Sequence, residues 1–239
     1  MIDINTFQIY RFSFQEVCPP VAEIRAFLQS TDLGEDHPVN VFITEILPSL
    51  KDNPDIAGGY IIKDLQTLDI PTGRIIIEDT MLPVGKQVCG YLKNSRYAAL
   101  FVCTAGKLYT ELSKQLNERG DFMEAFIVDA IGSLTVEKAM DSIQQQLGDS
   151  LQRESLHITN RYSPGYCNWA LIEQQTLFGL IGDNPVGISL SESSLMSPVK
   201  SVSGMIGIGA EVTQRGYRCQ ACRDMNCIYR KITNKDKSS

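Results

Sequence analysis

Residues 160–169, with the sequence NRYSPGYCNW, combine a cation and three aromatic rings with a turn. Arg161 offers a planar guanidinium that matches the geometry of a carboxylate. The turn starting at Ser163 exposes backbone donors and acceptors, and Gly165 lets a ligand come close to the chain. Tyr166 adds a ring and a hydroxyl. The pattern fits either a decorated surface turn or the wall of a pocket for a small, flat, charged ligand.

A second group of polar residues has helical spacing. Asp129, Ser133 and Glu137 stand at i, i+4 and i+8, so they share one face of a predicted long helix. The neighbouring face carries Phe126 and Leu134, which we expect to turn towards the core. A carboxylate at such a border can accept a ligand ammonium. The solvated edge of an ordinary amphipathic helix has the same appearance.

The third group consists of thiols near the C-terminus. Cys219, Cys222 and Cys227 fall within nine residues and could surround one zinc ion or an iron–sulfur cluster. A fourth ligand would be needed, and Cys167 is one candidate. Ordinary thiols or a redox dithiol explain the same spacing. The odd total of seven cysteines argues against a set of disulfides.

The elements that must position these groups follow from hydrophobic periodicity. Strands are predicted at 6–15 and 97–106, as short pieces over 57–92, and as a strand–turn–strand unit over 186–209. Helices are predicted at 19–30, 39–52, 106–121, 122–154 and 169–182. Segment 97–106 is nearly all apolar, which predicts a central strand. The small residues Ala130, Gly132 and Ser133 predict that another part of the chain approaches the long helix closely.

Composition excludes several classes of function. The net charge of −6 and the pI of about 5.0 disfavour nucleic acid as a partner. No apolar run reaches the length of a membrane span, and the N-terminus lacks the pattern of a signal peptide, so we expect a cytoplasmic protein without a membrane partner. Neither a Rossmann nor a P-loop glycine motif is present.

An ordered series of motifs between about residue 125 and residue 209 resembles a known family. RYSPGYCNWALIEQQTLFGLIG is followed by VGISLSESSLMSPVKSVSGMIGIG. This series is similar to the activation domain of cobalamin-dependent methionine synthase. That family carries Arg-x-x-x-Gly-Tyr, a short helix, a Leu-Thr/Ser-Glu-Ser segment and a Ser-Val-Ser-Gly strand. The resemblance implies an α+β fold: a C-shaped single domain with a twisted, mainly antiparallel sheet and flanking helices.

The resemblance also implies a ligand, S-adenosylmethionine, and the residues that bind it. The motif arginine would bind the methionyl carboxylate, the turn and its tyrosine would line the adenosine, and a helical glutamate would take the amino group. The candidate ligand-binding residues are therefore Arg161, Ser163, Gly165, Tyr166, Glu137 and Asp129. Tyr217 is a candidate for a later aromatic contact of the family.

The division of the chain follows from where the match is strong. Residues 1–105 match weakly and are expected to form the N-terminal α/β part of the domain. Residues 106–230 are expected to bind S-adenosylmethionine and to carry the cysteine cluster, and residues 231–239 form a polar tail. The cobalamin-binding pattern Asp-x-His-x-x-Gly is missing, and Asp36-His37-Pro38 does not fit it.

The expected function is that of an accessory protein acting on a separate partner. The partner would be a cobalamin-dependent methionine synthase that lacks its own activation domain and holds the cobalamin. A flavodoxin-like donor would reduce cob(II)alamin, which would then take the methyl group of S-adenosylmethionine. Two alternatives stay open: a metal or iron–sulfur redox activator of another corrinoid protein, and a non-catalytic sensor of S-adenosylmethionine.

Overall fold

A computed structural model describes residues 3–214, which fold as α+β around one large sheet. The strands are β1 (Gln8–Arg11), β2 (Ala57–Asp69), β3 (Arg74–Ile77), β4 (Thr80–Leu82), β5 (Tyr97–Thr104), β6 (His157–Tyr162), β7 (Ser189–Leu190), β8 (Met196–Ser197) and β9 (Ser201–Gly209). The helices are α1 (Phe14–Val17), α2 (Val21–Phe27), α3 (Pro38–Ile46), α4 (Gly85–Tyr91), α5 (Leu108–Arg119), α6 (Phe122–Leu151) and α7 (Gln174–Ile181).

The large sheet is antiparallel throughout its pairings, in the order β4-β3-β2-β5-β9-β6. β2 is long enough to pair with β1 along its first half and with β3 along its second half. All residues of β5 are buried, so the prediction of a central strand is confirmed. The fold therefore matches the predicted α+β class with a mainly antiparallel sheet and flanking helices.

Helices cover both faces of this sheet. The 30-residue helix α6 lies across one face together with the N-terminal helices, and α4 and α7 pack on the other. At Gly58 of β2, an added Cβ would stand 2.7 Å from both Ile143 Cδ1 of α6 and Cys103 Sγ of β5. This glycine lets α6 settle directly on the sheet. Burying an Ile143-sized side chain there stabilises the fold by about 1.5–3 kcal/mol.

The close approach predicted at Ala130, Gly132 and Ser133 is confirmed at Gly132. A Cβ added there would lie 2.7 Å from the Tyr109 ring of α5 and 3.1 Å from Cγ of Lys200. The α5–α6 packing and the course of the lysine stem therefore both depend on the missing side chain. Tyr109 is fully buried and donates a hydrogen bond to Thr135 Oγ1.

Two sequence predictions were wrong in detail. Residues 85–91 form a helix rather than a strand, because Val88 and Cys89 bury against the sheet while Gly90 meets open space. Phe122 and Phe126 are 68% and 60% exposed, so the apolar face that we expected beside the polar stripe does not extend to the start of α6. The core-facing residues there are Ala125 and Val128.

No helix within residues 3–214 has the length and apolar character needed to span a bilayer. The expected division of the domain near residue 105 stays a prediction. The expected polar tail at 231–239 lies outside the described residues.

Candidate functional site

The polar stripe on α6 faces two cations that come from the sheet side of the molecule. Towards the start of the helix, Lys200 Nζ lies 2.6 Å from Asp129 Oδ1 and donates a hydrogen bond to Ser133 Oγ at 3.0 Å. The side chain of Lys200 is nearly buried, and the carboxylate of Asp129 compensates its charge. Sequence reasoning missed Lys200; the signal was its position directly before the Ser-Val-Ser-Gly strand.

Arg161 lies against the next two turns of the same stripe. Its Nη2 is 3.1 Å from Glu137 Oε2 and 2.8 Å from Asp141 Oδ1. The side chain of Arg161 is 9% exposed, against 36% for Glu137 and 58% for Asp141. The structure thus brings together the motif arginine and the helical glutamate. Asp141 was missed, although it continues the four-residue spacing of the stripe by one further step.

The direction of Arg161 is set by strand β6. The pairing of β6 with β9 is regular at His157 and Ile158, then shifts register before Arg161 pairs with Ile206. At the irregularity, Thr159 Oγ1 accepts a hydrogen bond from the backbone N–H of Gly207 at 2.9 Å. Such irregularities re-aim side chains. Here the result is that Arg161 reaches the carboxylates of α6.

The turn after β6 has the compact form that its sequence predicts. Gly165 has a φ of +92°, and its N–H donates to the carbonyl of Trp169 at 2.8 Å. The N–H of Tyr166 donates to the carbonyl of Ser163 at 3.2 Å. Trp169 is buried and anchors the turn, whereas Tyr166 is 70% exposed. The turn therefore presents Gly165 and an aromatic ring to the outside on a fixed frame.

Gly204 in the Ser-Val-Ser-Gly strand lets the turn approach β9. A Cβ at this position would collide with the carbonyl oxygen of Tyr162 and would stand 2.8 Å from Ser163 Oγ. On the other side, the ring of Tyr162 stacks on Tyr91 of α4, with 5.3 Å between centroids and 17° between planes. The two motifs recognised in the sequence are therefore packed against each other.

The electrostatics of Glu137 favour a cationic partner. Burial raises the pKa of its carboxyl, the nearby Arg161 guanidinium lowers it, and the carboxylate of Asp141 raises it again. Burial is the largest of these effects, so the pKa is raised overall. A second cation placed at Glu137 would offset both the cost of burying its charge and the repulsion from Asp141.

Open space adjoins each end of the stripe. A cavity of about 770 Å³ runs along the C-terminal half of α6, and its walls include Asp141, Gln144 and Asn160. A groove of about 460 Å³ lies between α5 and α6, with Asp129 and Val199 in its wall. Asp129 therefore lies on the predicted face of α6, two turns before Glu137, and it borders this groove and not the 770 Å³ cavity.

Of the proposed metal ligands, only Cys167 lies within the described residues. Within residues 3–214, no three His, Cys, Asp or Glu side chains cluster closely enough to hold a metal ion. Cys167 is a half-buried cysteine. The proposed ligands Cys219, Cys222 and Cys227, like Tyr217, lie outside the described residues. The metal hypothesis stays a prediction.

Comparisons with known proteins agree with this architecture. A crystal structure described as the MetH reactivation domain bound to AdoHcy superposes with a TM-score of 0.59 at 17% sequence identity, covering 90% of this chain and 81% of that one. At that identity the likeness shows the fold alone. A search of curated proteins gave no match.

A comparison with protein families locates the match along the sequence. The model described as "Vitamin B12 dependent methionine synthase, activation domain" matches residues 91–227, which is more than half of the 239-residue chain. The matched part contains α6, the Arg161 turn and the Gly204 strand. The chain therefore belongs to the family of the activation domain of vitamin B12 dependent methionine synthase.

Proposed function

We propose that this protein binds S-adenosylmethionine with its methionyl end at Arg161 and Glu137. The observation that carries the proposal is the 3.1 Å contact between these two side chains, which places a cation and an anion side by side. Asp141, which also contacts Arg161, lines the adjoining cavity. A free amino-acid group carries one carboxylate and one ammonium. The pair can accept both charges at once, with Arg161 taking the carboxylate and Glu137 the ammonium.

The adenosine would lie against the turn that follows β6. Backbone groups at Ser163 and Gly165 would contact the base, and Tyr166 would supply a ring for stacking. The exposure of Gly165 and Tyr166 on a turn anchored by Trp169 supports this assignment. Asp129, which lies two turns before Glu137 on α6 and pairs with Lys200, would extend the polar wall.

The proposed activity is reactivation of a cobalamin-dependent methionine synthase that lacks its own activation domain. The partner holds the cobalamin, which is the substrate here. A flavodoxin-like protein donates one electron and converts cob(II)alamin to cob(I)alamin. The reduced cobalt then attacks the sulfonium methyl group, so a cobalt–carbon bond forms, a carbon–sulfur bond breaks, and S-adenosylhomocysteine leaves. Family membership supports this role.

This chemistry needs positioning more than proton transfer. The methyl group of a sulfonium is already electrophilic and reduced cobalt is a strong nucleophile, so no general base is required. Arg161, Glu137 and the turn would fix the ligand, and the partner's corrin would close over it. Proximity and orientation of this kind can supply several kcal/mol of rate enhancement. We therefore assign no catalytic residue in this chain.

The proposal is tested by mixing purified components. A methionine synthase without an activation domain is trapped as cob(II)alamin, and this protein, a low-potential reductant and S-adenosylmethionine are added. We expect recovery of methionine synthesis that requires all three and fails with Arg161→Ala. If this protein binds S-adenosylmethionine but restores the activity of no corrinoid protein that is encoded beside it, the sensor function would be supported instead. Absence of binding would contradict the proposal itself.

A further inference from the structure

The carboxylate of Asp141 occupies the guanidinium that the proposed ligand needs. Nη2 of Arg161 is 2.8 Å from Asp141 Oδ1 and 3.1 Å from Glu137 Oε2, so one nitrogen serves both carboxylates. A ligand carboxylate binds best to the guanidinium fork. An incoming carboxylate must therefore compete with an internal one that is already in place.

The two internal carboxylates differ in what they lose when Arg161 is taken away. Asp141 is 58% exposed and adjoins the 770 Å³ cavity, so water can solvate it once it is released. Glu137 is more buried, and burial already raises its pKa. Without a cation, Glu137 would be left poorly solvated. The ligand ammonium can replace Arg161 as its partner, whereas Asp141 can do without one.

We propose that Asp141 is an internal competitor that keeps Arg161 neutralised until a ligand carboxylate exchanges with it. This inference rests on the proposed function, because it concerns the same ligand. Only a ligand that brings both charges gains fully: its carboxylate displaces Asp141 and its ammonium satisfies Glu137. A simple anion gains Arg161 but leaves Glu137 without compensation. Asp141 therefore lowers the affinity for any ligand whose carboxylate binds Arg161, whereas Glu137 selects for the ammonium.

The test compares Asp141→Asn with a matched control, Asp149→Asn. Asp149 is an exposed carboxylate on α6 that lines the same cavity but accepts a hydrogen bond from Gln145. Titration calorimetry would use S-adenosylmethionine and 5′-methylthioadenosine, which keeps the adenosine but lacks the carboxylate and the ammonium. We expect Asp141→Asn to bind S-adenosylmethionine about fivefold tighter than wild type, because the ligand no longer has to break one exposed ion pair. Its affinity for 5′-methylthioadenosine, and both affinities of Asp149→Asn, should stay unchanged.

Each other outcome has a distinct meaning. If wild type binds S-adenosylmethionine but Asp141→Asn binds it equally or more weakly, Asp141 does not compete and the inference is overturned. Tighter binding of both ligands by Asp141→Asn would reveal an effect that does not depend on the ligand carboxylate and would also overturn it. If wild type binds no S-adenosylmethionine, the proposed function fails first, and the inference falls with it.

Discussion

Replacing Arg161 with alanine should weaken the binding of S-adenosylmethionine by about 10- to 150-fold. Hydrogen bonds to charged groups are worth about 1.5–3 kcal/mol each, and 1.4 kcal/mol corresponds to a factor of ten. The upper part of this range is favoured by the surroundings, since the truncation leaves the carboxylates of Glu137 and Asp141 without their shared cation. Both would then repel the ligand carboxylate, although Glu137 would still attract the ammonium.

The same substitution should cost only modest stability. Arg161 is nearly buried, but its partner Asp141 can be fully solvated after the truncation, and Glu137 keeps part of its side chain exposed. We therefore expect a loss of about 1–2 kcal/mol in the free energy of unfolding, below the values measured when fully buried ion pairs are broken. Such a variant stays folded, so its affinity can be measured.

The assay is titration calorimetry with thermal unfolding as a check on folding. Arg161→Lys should recover little affinity, because a lysine ammonium lacks the planar fork. Arg25→Ala is the matched control: Arg25 makes a two-point contact with Glu35 at 2.6 and 2.7 Å, outside the proposed site. Its affinity should equal that of wild type. A folded Arg161→Ala protein with wild-type affinity would refute the assignment of the carboxylate contact.

Three further outcomes are expected from the same account. Glu137→Gln should weaken binding and should flatten its pH dependence. The pKa of Glu137 is raised, so in wild type the affinity should fall as the pH drops through this raised pKa, and titrations at a series of pH values from neutral downwards check this. Gly204→Ala should destabilise the fold by about 1–3 kcal/mol in denaturant unfolding, because the added Cβ meets backbone atoms. As a control, Gly90→Ala in α4 places its Cβ in open space and should be neutral or slightly stabilising. Cys219→Ser combined with Cys222→Ser should leave the affinity for S-adenosylmethionine nearly intact and should abolish any metal bound to the purified protein; a large loss of affinity would place these thiols in the ligand site.

The parts of the fold that could be predicted from sequence are those with strong periodicity. β5 is a run of apolar residues with no competing pattern, and α6 carries regular apolar spacing over thirty residues. Helix α4 was missed because Gly85 and Gly90 look like strand punctuation, and a seven-residue helix offers too few turns to show its period. Tertiary burial of Val88 decides its structure.

The site was predictable to the extent that its residues lie close in sequence or share a helix face. Arg161, Gly165 and Tyr166 stand in one motif, and Glu137 stands on a regular stripe. Their meeting depends on how β6 pairs beside α6, which no local pattern encodes. The contact of Lys200 with Asp129 spans 71 positions and needs the missing side chain of Gly132, so only the folded chain reveals it.

In the proposed reaction, the methyl group of bound S-adenosylmethionine passes to cobalamin held by another protein. The most direct measurement uses S-adenosylmethionine labelled with carbon-13 in its methyl group, mixed with this protein, a reductant and cob(II)alamin-loaded methionine synthase that lacks an activation domain. Nuclear magnetic resonance then follows the label. We expect the label to appear as methylcobalamin together with an equal amount of S-adenosylhomocysteine, and we expect no such transfer when this protein is omitted. Label that stays on the sulfonium while the ligand is bound and the cobalt is reduced would contradict the proposed methyl transfer.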